Sequence, residues 1–261
     1  MSKLLSLRYF PSLHNNEELF GEITDPKGAL PRVFNQLALM CIYAFLYGLV
    51  MGSYHSVPQA ISAGLKVPIL FIIALVICFP AFFIIQNILG SRLKLLPMIS
   101  IILSGLALTT AIMISFSPIV IIFMLTGSNY YFLQLLHIGV FTVSGVFGMK
   151  AVVDALKYSC EKRNVYPQTG VVVFRFWLVI LAFVGIQLAW NFRPFLGDRG
   201  EPFQLFRKYE GNFYTALIYS VDQLLEPDKK DQPAYHIRPQ QPESTDSLSA
   251  SEEAKDDLFG D

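Results

Sequence analysis

The stretch LQLLHIGVF sets a histidine inside an apolar run, and it is the first place in the chain where chemistry is on offer. His137 follows Gln134 by three positions, so the two share one face if the run is helical. An imidazole so placed can relay a proton or recognise a polar solute. It can equally be neutral and join its helix to a Ser or Thr of a neighbour. The other ionisable groups among apolar residues are Lys66, Arg175 and Asp154, the last at the edge of its run. Lys66 and Arg175 fall near the ends of theirs, where a long side chain is expected to carry its charge back to lipid headgroups.

Other chemistries lack their residues. Intramembrane hydrolysis needs a nucleophile with a positioned base, or metal ligands, and the sequence has no GxSxG, no HExxH and no paired glutamates in an apolar run. Nucleotide motifs of the GxxxxGK[ST] or GxGxxG kind are missing too. Cys41, Cys78 and Cys160 form no CxxC pair, and no histidine stands at metal-ligand spacing. The expectation is therefore a protein without catalytic, cofactor-binding or metal-binding residues. The run SGVFG at 144–148 is read as small-residue helix packing through Gly139, Ser144, Gly145 and Gly148. Twenty basic and twenty acidic residues cancel, leaving no basic field for a nucleic acid.

The elements that position these residues follow from composition. Of 261 residues 53% are hydrophobic and only 15% charged, against about 25% charged in a soluble domain. About 20 apolar residues are needed to cross about 30 Å of hydrocarbon as a helix. Five segments qualify, at 33–54, 65–88, 96–115, 130–153 and 171–190, and their unbroken hydrophobicity excludes a barrel. The expected fold is an all-α integral membrane bundle of about five transmembrane helices. Pro68 and Pro80 interrupt the second span and predict a kink about midway. The shorter apolar stretch 118–126, bracketed by Pro118 and Gly127, is open to three readings: re-entrant, interfacial, or a continuation of the third span beyond a kink.

Orientation follows the lysines and arginines of short loops, which stay in the cytoplasm. Lys3, Arg8, Lys27 and Arg32 precede the first span, Arg92 and Lys94 lie in the second-to-third loop, and Lys157, Lys162 and Arg163 in the fourth-to-fifth. The loops HSVPQAISAG and SPIVIIFMLTGSN carry none. The alternation puts the N-terminus in the cytoplasm, while Arg193, Arg199, Arg207 and Lys208 just past the last span run against it. The N-terminus, MSKLLSLRYFPSL, lacks the h-region of a secretory signal. Its next stretch predicts a short helix over 16–23 and a turn at Asp25-Pro26-Lys27-Gly28.

Four regions result: a cytoplasmic segment 1–32, a transmembrane bundle 33–191, an interfacial amphipathic segment 192–226, and an acidic tail 227–261 too polar to order itself. At the last span's exit, AWNFRPFLGD gathers Trp190, Arg193 and Phe195, suited to the interfacial belt, with Pro194 to stop the helix and Gly197 to free the turn. The aromatic and basic pattern continues through PFQLFRKYEGNFY with Arg207, Tyr209 and Phe213. Phe213, Leu217, Val221 and Leu224 then recur at helical spacing, with Tyr214, Ile218 and Leu225 widening the stripe. Such a helix lies at the membrane surface or docks on the bundle. Trp190, Arg193, Phe195, Arg207, Tyr209 and Phe213 are the candidate interaction residues; Gln134 and His137 are the intramembrane polar pair.

The segments AFLYGLVMGSY, LKVPILF with its following FP and the LGSRL exit, VFRFWL, GIQLAWNFRPFLG and PFQLFRKYEGNFY together resemble Yip1-type membrane proteins, and more closely the uncharacterised bacterial multi-span proteins grouped with them. The resemblance runs from about Ala44 to about Tyr214. It implies a five-span membrane protein without assigned catalysis, and a bacterial inner membrane, with a thylakoid as the alternative. Some bacterial chains of this layout carry an actin-binding WH2 label. Here the nearest match to such a motif, Leu65-Lys66-Val67, runs into a membrane span. The functional expectation is a scaffold, assembly or membrane-organising factor with the lipid bilayer, a membrane protein or another copy as partner. The alternative is a transporter or channel resting on the Pro-interrupted second span with Gln86, Asn87, His137 and Gln187.

Overall fold

The computed structural model describes residues 20–22, 28–127, 129–161, 168–197, 203–206 and 213–225. Among these, all regular structure is helical: α1 Ala29–Gly52, α2 Val57–Ile88, α3 Leu95–Ser115, α4 Ser117–Leu125, α5 Tyr130–Glu161, α6 Gln168–Phe192 and α7 Phe213–Leu225. Five spans are long and apolar enough to cross a membrane, with α3 and α4 counting as one of them, Leu95–Leu125. The stretch 118–126 is thus the continuation of the third span. Only Phe116 separates its two helices, and its N–H reaches the carbonyls of Ile112 and Met113 while its own carbonyl accepts from Ile119 and Val120. Pro118 costs nothing there because the first turn of a helix has no internal acceptors for its N–H groups.

The second span is longer than its hydropathy suggests. Ser56 caps it, its hydroxyl accepting from Gln59 N–H at 3.4 Å, and Pro58 sits in the first turn. With 32 residues α2 extends about 48 Å, well beyond about 30 Å of hydrocarbon. Its first turns, from Gln59 to Lys66, therefore have length to spare outside the apolar layer. The helix runs unbroken through Pro68 and Pro80. Beside Pro80, the indole N–H of Trp177 on α6 donates to the Cys78 carbonyl at 3.0 Å, so that the Trp carries no unmet donor into the apolar interior.

In packing order the spans run α1, α2, α6, α5, α3 and back to α1. Two close crossings fix this ring. A Cβ on Gly48 would lie 2.8 Å from the Gly64 Cα, and one on Gly52 2.6 Å from the Ala60 Cα, so α1 and α2 meet backbone to backbone through GLVMG. Gly105 of α3 and Gly148 of α5 face each other likewise, a Cβ on either lying 2.8 or 2.6 Å from the other's carbonyl oxygen. Without a hydrophobic drive between helices in lipid, small residues gain dispersion contact by letting backbones approach. Gly148 and buried Ser144 thus belong to a packing face as the sequence suggests, but Gly139 and Gly145 face open space, being off that stripe.

Each end of the bundle has its own core. At the base, where α1 begins, Phe82, Met98, Ile101, Leu156, Phe174 and Trp177 cluster. At the crown, which bears the α1–α2 turn, Tyr47, Met51, Val67, Met113, Leu133 and Leu196 do so. Outward faces carry Val76, Ile77, Ile84, Val146, Phe176, Val179 and Ile180, large apolar residues that only lipid or another apolar surface accommodates. The bundle is an integral membrane protein by this character. Of the N-terminal segment, Phe20 is buried and packs on Tyr158 at 6.0 Å, and the buried Arg32 guanidinium donates to the Glu22 carbonyl. The rest of the short helix expected over 16–23 lies outside the described residues, as does the tail. The chain divides into two contact units at Leu224, and of the second only Leu225 is described.

Candidate functional site at the crown of the bundle

Beyond α6 the chain turns back over the crown. Pro194 has no N–H with which to extend the helix, and the Arg193–Pro194 peptide is cis. Gly197 has φ +70°, and a Cβ there would sit 2.9 Å from the His55 Cβ. Only glycine lets this segment lie on the α1–α2 turn. The strap so formed is held from below by α2: Gln59 Nε2 donates to the Pro194 and Phe195 carbonyls at 2.8 and 3.1 Å. Seven residues on, on the same face, Lys66 Nζ donates to the Pro194 carbonyl at 3.2 Å and to the Leu205 carbonyl. The ammonium also lies 4.8 Å from the Phe206 ring centroid and 5.9 Å from that of Phe195, within cation–π reach.

This corrects the expectation for Lys66. The side chain is only 5% exposed and does not carry its charge to headgroups; the strap brings carbonyl dipoles and ring faces to it instead. Arg175 on α6 is exposed, in keeping with a side chain free to reach the interface.

Below the strap, Tyr47 of α1 and His137 of α5 share a hydrogen bond, Oη to Nδ1 at 2.8 Å, with the rings edge to face at 5.7 Å. His137 is 5% exposed and its Nε2 has no partner. Gln134, expected on the same face, is half-buried and is not the group His137 bonds. Two further buried polar contacts also bridge helices: Ser100 Oγ donates to Gln36 Oε1 at 2.8 Å, linking α3 to α1, and Gln86 Nε2 to the Gly170 carbonyl at 3.2 Å, linking α2 to α6.

The interfacial candidates divide. Trp190 is half-buried, stacked under the Arg193 guanidinium at 3.5 Å and edge-on to Phe213 at 6.4 Å. Arg193 thus covers a ring of its own helix end. Phe195 is half-buried in the crown core and gives its carbonyl to Gln59. Phe213 opens α7 and, with Tyr219 on Tyr131 at 5.7 Å, joins that helix to the bundle. Arg207 and Tyr209 lie outside the described residues. The broad stripe read along α7 is split: Phe213 and Leu217 are half-buried, whereas Tyr214, Ile218 and Val221 are exposed.

Sequence reading did not find Tyr47 and Gln59. For Gln59 a signal existed, the Ser56 cap with Pro58 that starts α2 early. Tyr47 gives none, because its partner lies 90 residues away. No group of three or more His, Cys, Asp or Glu side chains able to hold a metal occurs among the described residues. Comparison of the chain with protein-family models, with curated proteins and with solved structures finds no match in any of the three, so the likeness to Yip1-type proteins stands on the sequence segments alone.

Proposed function

We propose that the protein is a non-enzymatic membrane-organising scaffold whose C-terminal segment engages a partner at the membrane surface. The observation that carries this is the exposed apolar stripe Tyr214, Ile218 and Val221 on a helix already tethered to the bundle by its other side. The bonds between spans support it: Gln36, Gln86, Trp177 and His137 each join one helix to another, as a rigid framework requires. Localisation in a bacterial inner membrane with a cytoplasmic N-terminus fits the loop charges and the resemblance. That orientation places the strap and α7 on the far side, since they lie at the crown with the α1–α2 turn.

A photo-crosslinker at Ile218 in native membranes is expected to capture a discrete protein, lost when Tyr214→Ser and Val221→Ser are combined. Crosslinking to lipid alone would sink the partner reading. The unpartnered His137 Nε2 favours a second reading, a solute pathway. Solute flux in liposomes that disappears with His137→Ala would establish it, and absence of flux supports the scaffold.

A further inference from the structure

The segment Phe203–Phe206 has little apolar packing to hold it: Phe203, Leu205 and Phe206 are exposed, at 44%, 54% and 55%. It meets the bundle through Phe206, which lies 6.2 Å from the Phe192 ring, and through Lys66. Lys66 in turn forms no ion pair with any carboxylate among the described residues; its ammonium is satisfied by two strap carbonyls and two phenyl faces. A buried cation without an anion is tolerated only while such groups surround it. Gln59 and Lys66 lie two helical turns apart on one face of α2: Gln59 holds 194–195 by its amide, and Lys66 holds 203–206, together with the Pro194 carbonyl, by its charge.

We propose that Lys66 is a charge clasp: its ammonium holds residues 203–206 on α2, and loss of that charge releases this segment while leaving the spans in place. Methionine in its place keeps the length of the stem but offers neither donor nor cation, so the strap carbonyl of Leu205 and the Phe206 ring lose their partner together. The inference does not depend on the scaffold reading, because its readout lies within the chain and needs no partner.

The test is limited trypsinolysis of the full chain in detergent, with cleavage after Arg207 read by mass spectrometry and cleavage after Lys162 and Arg163, between α5 and α6 in the chain, as internal reference. Lys66→Met and Lys66→Gln are expected to speed the cut after Arg207 about tenfold relative to the reference, since proteolysis follows the open population. Lys66→Arg, which keeps the charge, stays within about threefold of wild type, as does Gln59→Leu, which touches only 194–195. Wild-type rates in both neutral variants, or equal acceleration at the reference sites, overturn the proposal. If neither neutral variant remains monodisperse, Phe206→Ala decides, because that exposed ring can be lost without disturbing the bundle: acceleration supports the clasp and a wild-type rate refutes it.

Discussion

Tyr47 and His137 are bonded across the crown at 2.8 Å, between α1 and α5, two spans that are not neighbours in the packing ring but both flank α3. The bond ties the first span to the fourth beside the third. Its cost if broken is one-sided, because His137 is buried and its Nε2 is already unpartnered. Tyr47→Phe leaves the imidazole with no partner at all and is expected to destabilise the bundle by about 1–3 kcal/mol. Adding His137→Leu to it should recover part of that loss, because two apolar groups then meet. Thermal unfolding in detergent across the four-member cycle checks both; strict additivity would show the pair is not coupled.

The glycine crossings separate positions that look alike in sequence. Gly48→Val and Gly105→Val must push backbones apart and are expected to cost more than about 2 kcal/mol each. Gly139→Ala and Gly145→Ala meet nothing within 4 Å and should be neutral or stabilising by about 0.5–1 kcal/mol, alanine being the better helix former. Unfolding midpoints of the four variants give the comparison.

Gly197→Ala brings two penalties, a left-handed backbone and a Cβ against His55. Gly127→Ala brings only the first, since nothing lies near it. The expected loss at Gly127 is about 1 kcal/mol, with a larger loss at Gly197. The Gly197 variant should also expose the strap to protease while the Gly127 variant does not, which separates local loosening from general destabilisation.

Trp177→Phe keeps a ring between Phe82 and Phe174 but removes the donor to the Cys78 carbonyl. A loss of about 1 kcal/mol is expected, against about 3–5 kcal/mol for Trp177→Ala. Equal losses would mean that the lost hydrogen bond carries the whole effect and ring volume none.

Topology has its own check. Cysteine-accessibility labelling at Ser244 is expected from outside the cytoplasm only, after replacing Cys41, Cys78 and Cys160. Labelling from the cytoplasm alone would place the N-terminus outside, because the crown and base are opposite ends of a five-span bundle.

Much of this architecture is written in hydropathy. Five apolar runs dictate five helices, since in lipid the backbone must satisfy itself, and this needs no knowledge of which helix touches which. The span limits were less legible. Hydropathy starts the second span at 65, whereas Ser56 and Pro58 start the helix eight residues sooner, because a cap is a local hydrogen-bonding signal that survives outside the apolar layer. The GLVMG spacing of Gly48 and Gly52 was also there to be read, but a small-residue pair names no partner until a facing helix supplies Ala60 and Gly64.

The sequence by itself determined the class of molecule, the number of spans, and that Trp190, Arg193 and Phe195 mark a helix exit. Only the tertiary structure decided what Lys66 and His137 do. A buried charge or imidazole is defined by the groups brought to it, and those come from Pro194 and Leu205 for Lys66 and from Tyr47 for His137. Hydropathy acts along the chain over a few turns, whereas a hydrogen bond acts over about 3 Å between segments far apart in sequence, and folding alone sets that distance.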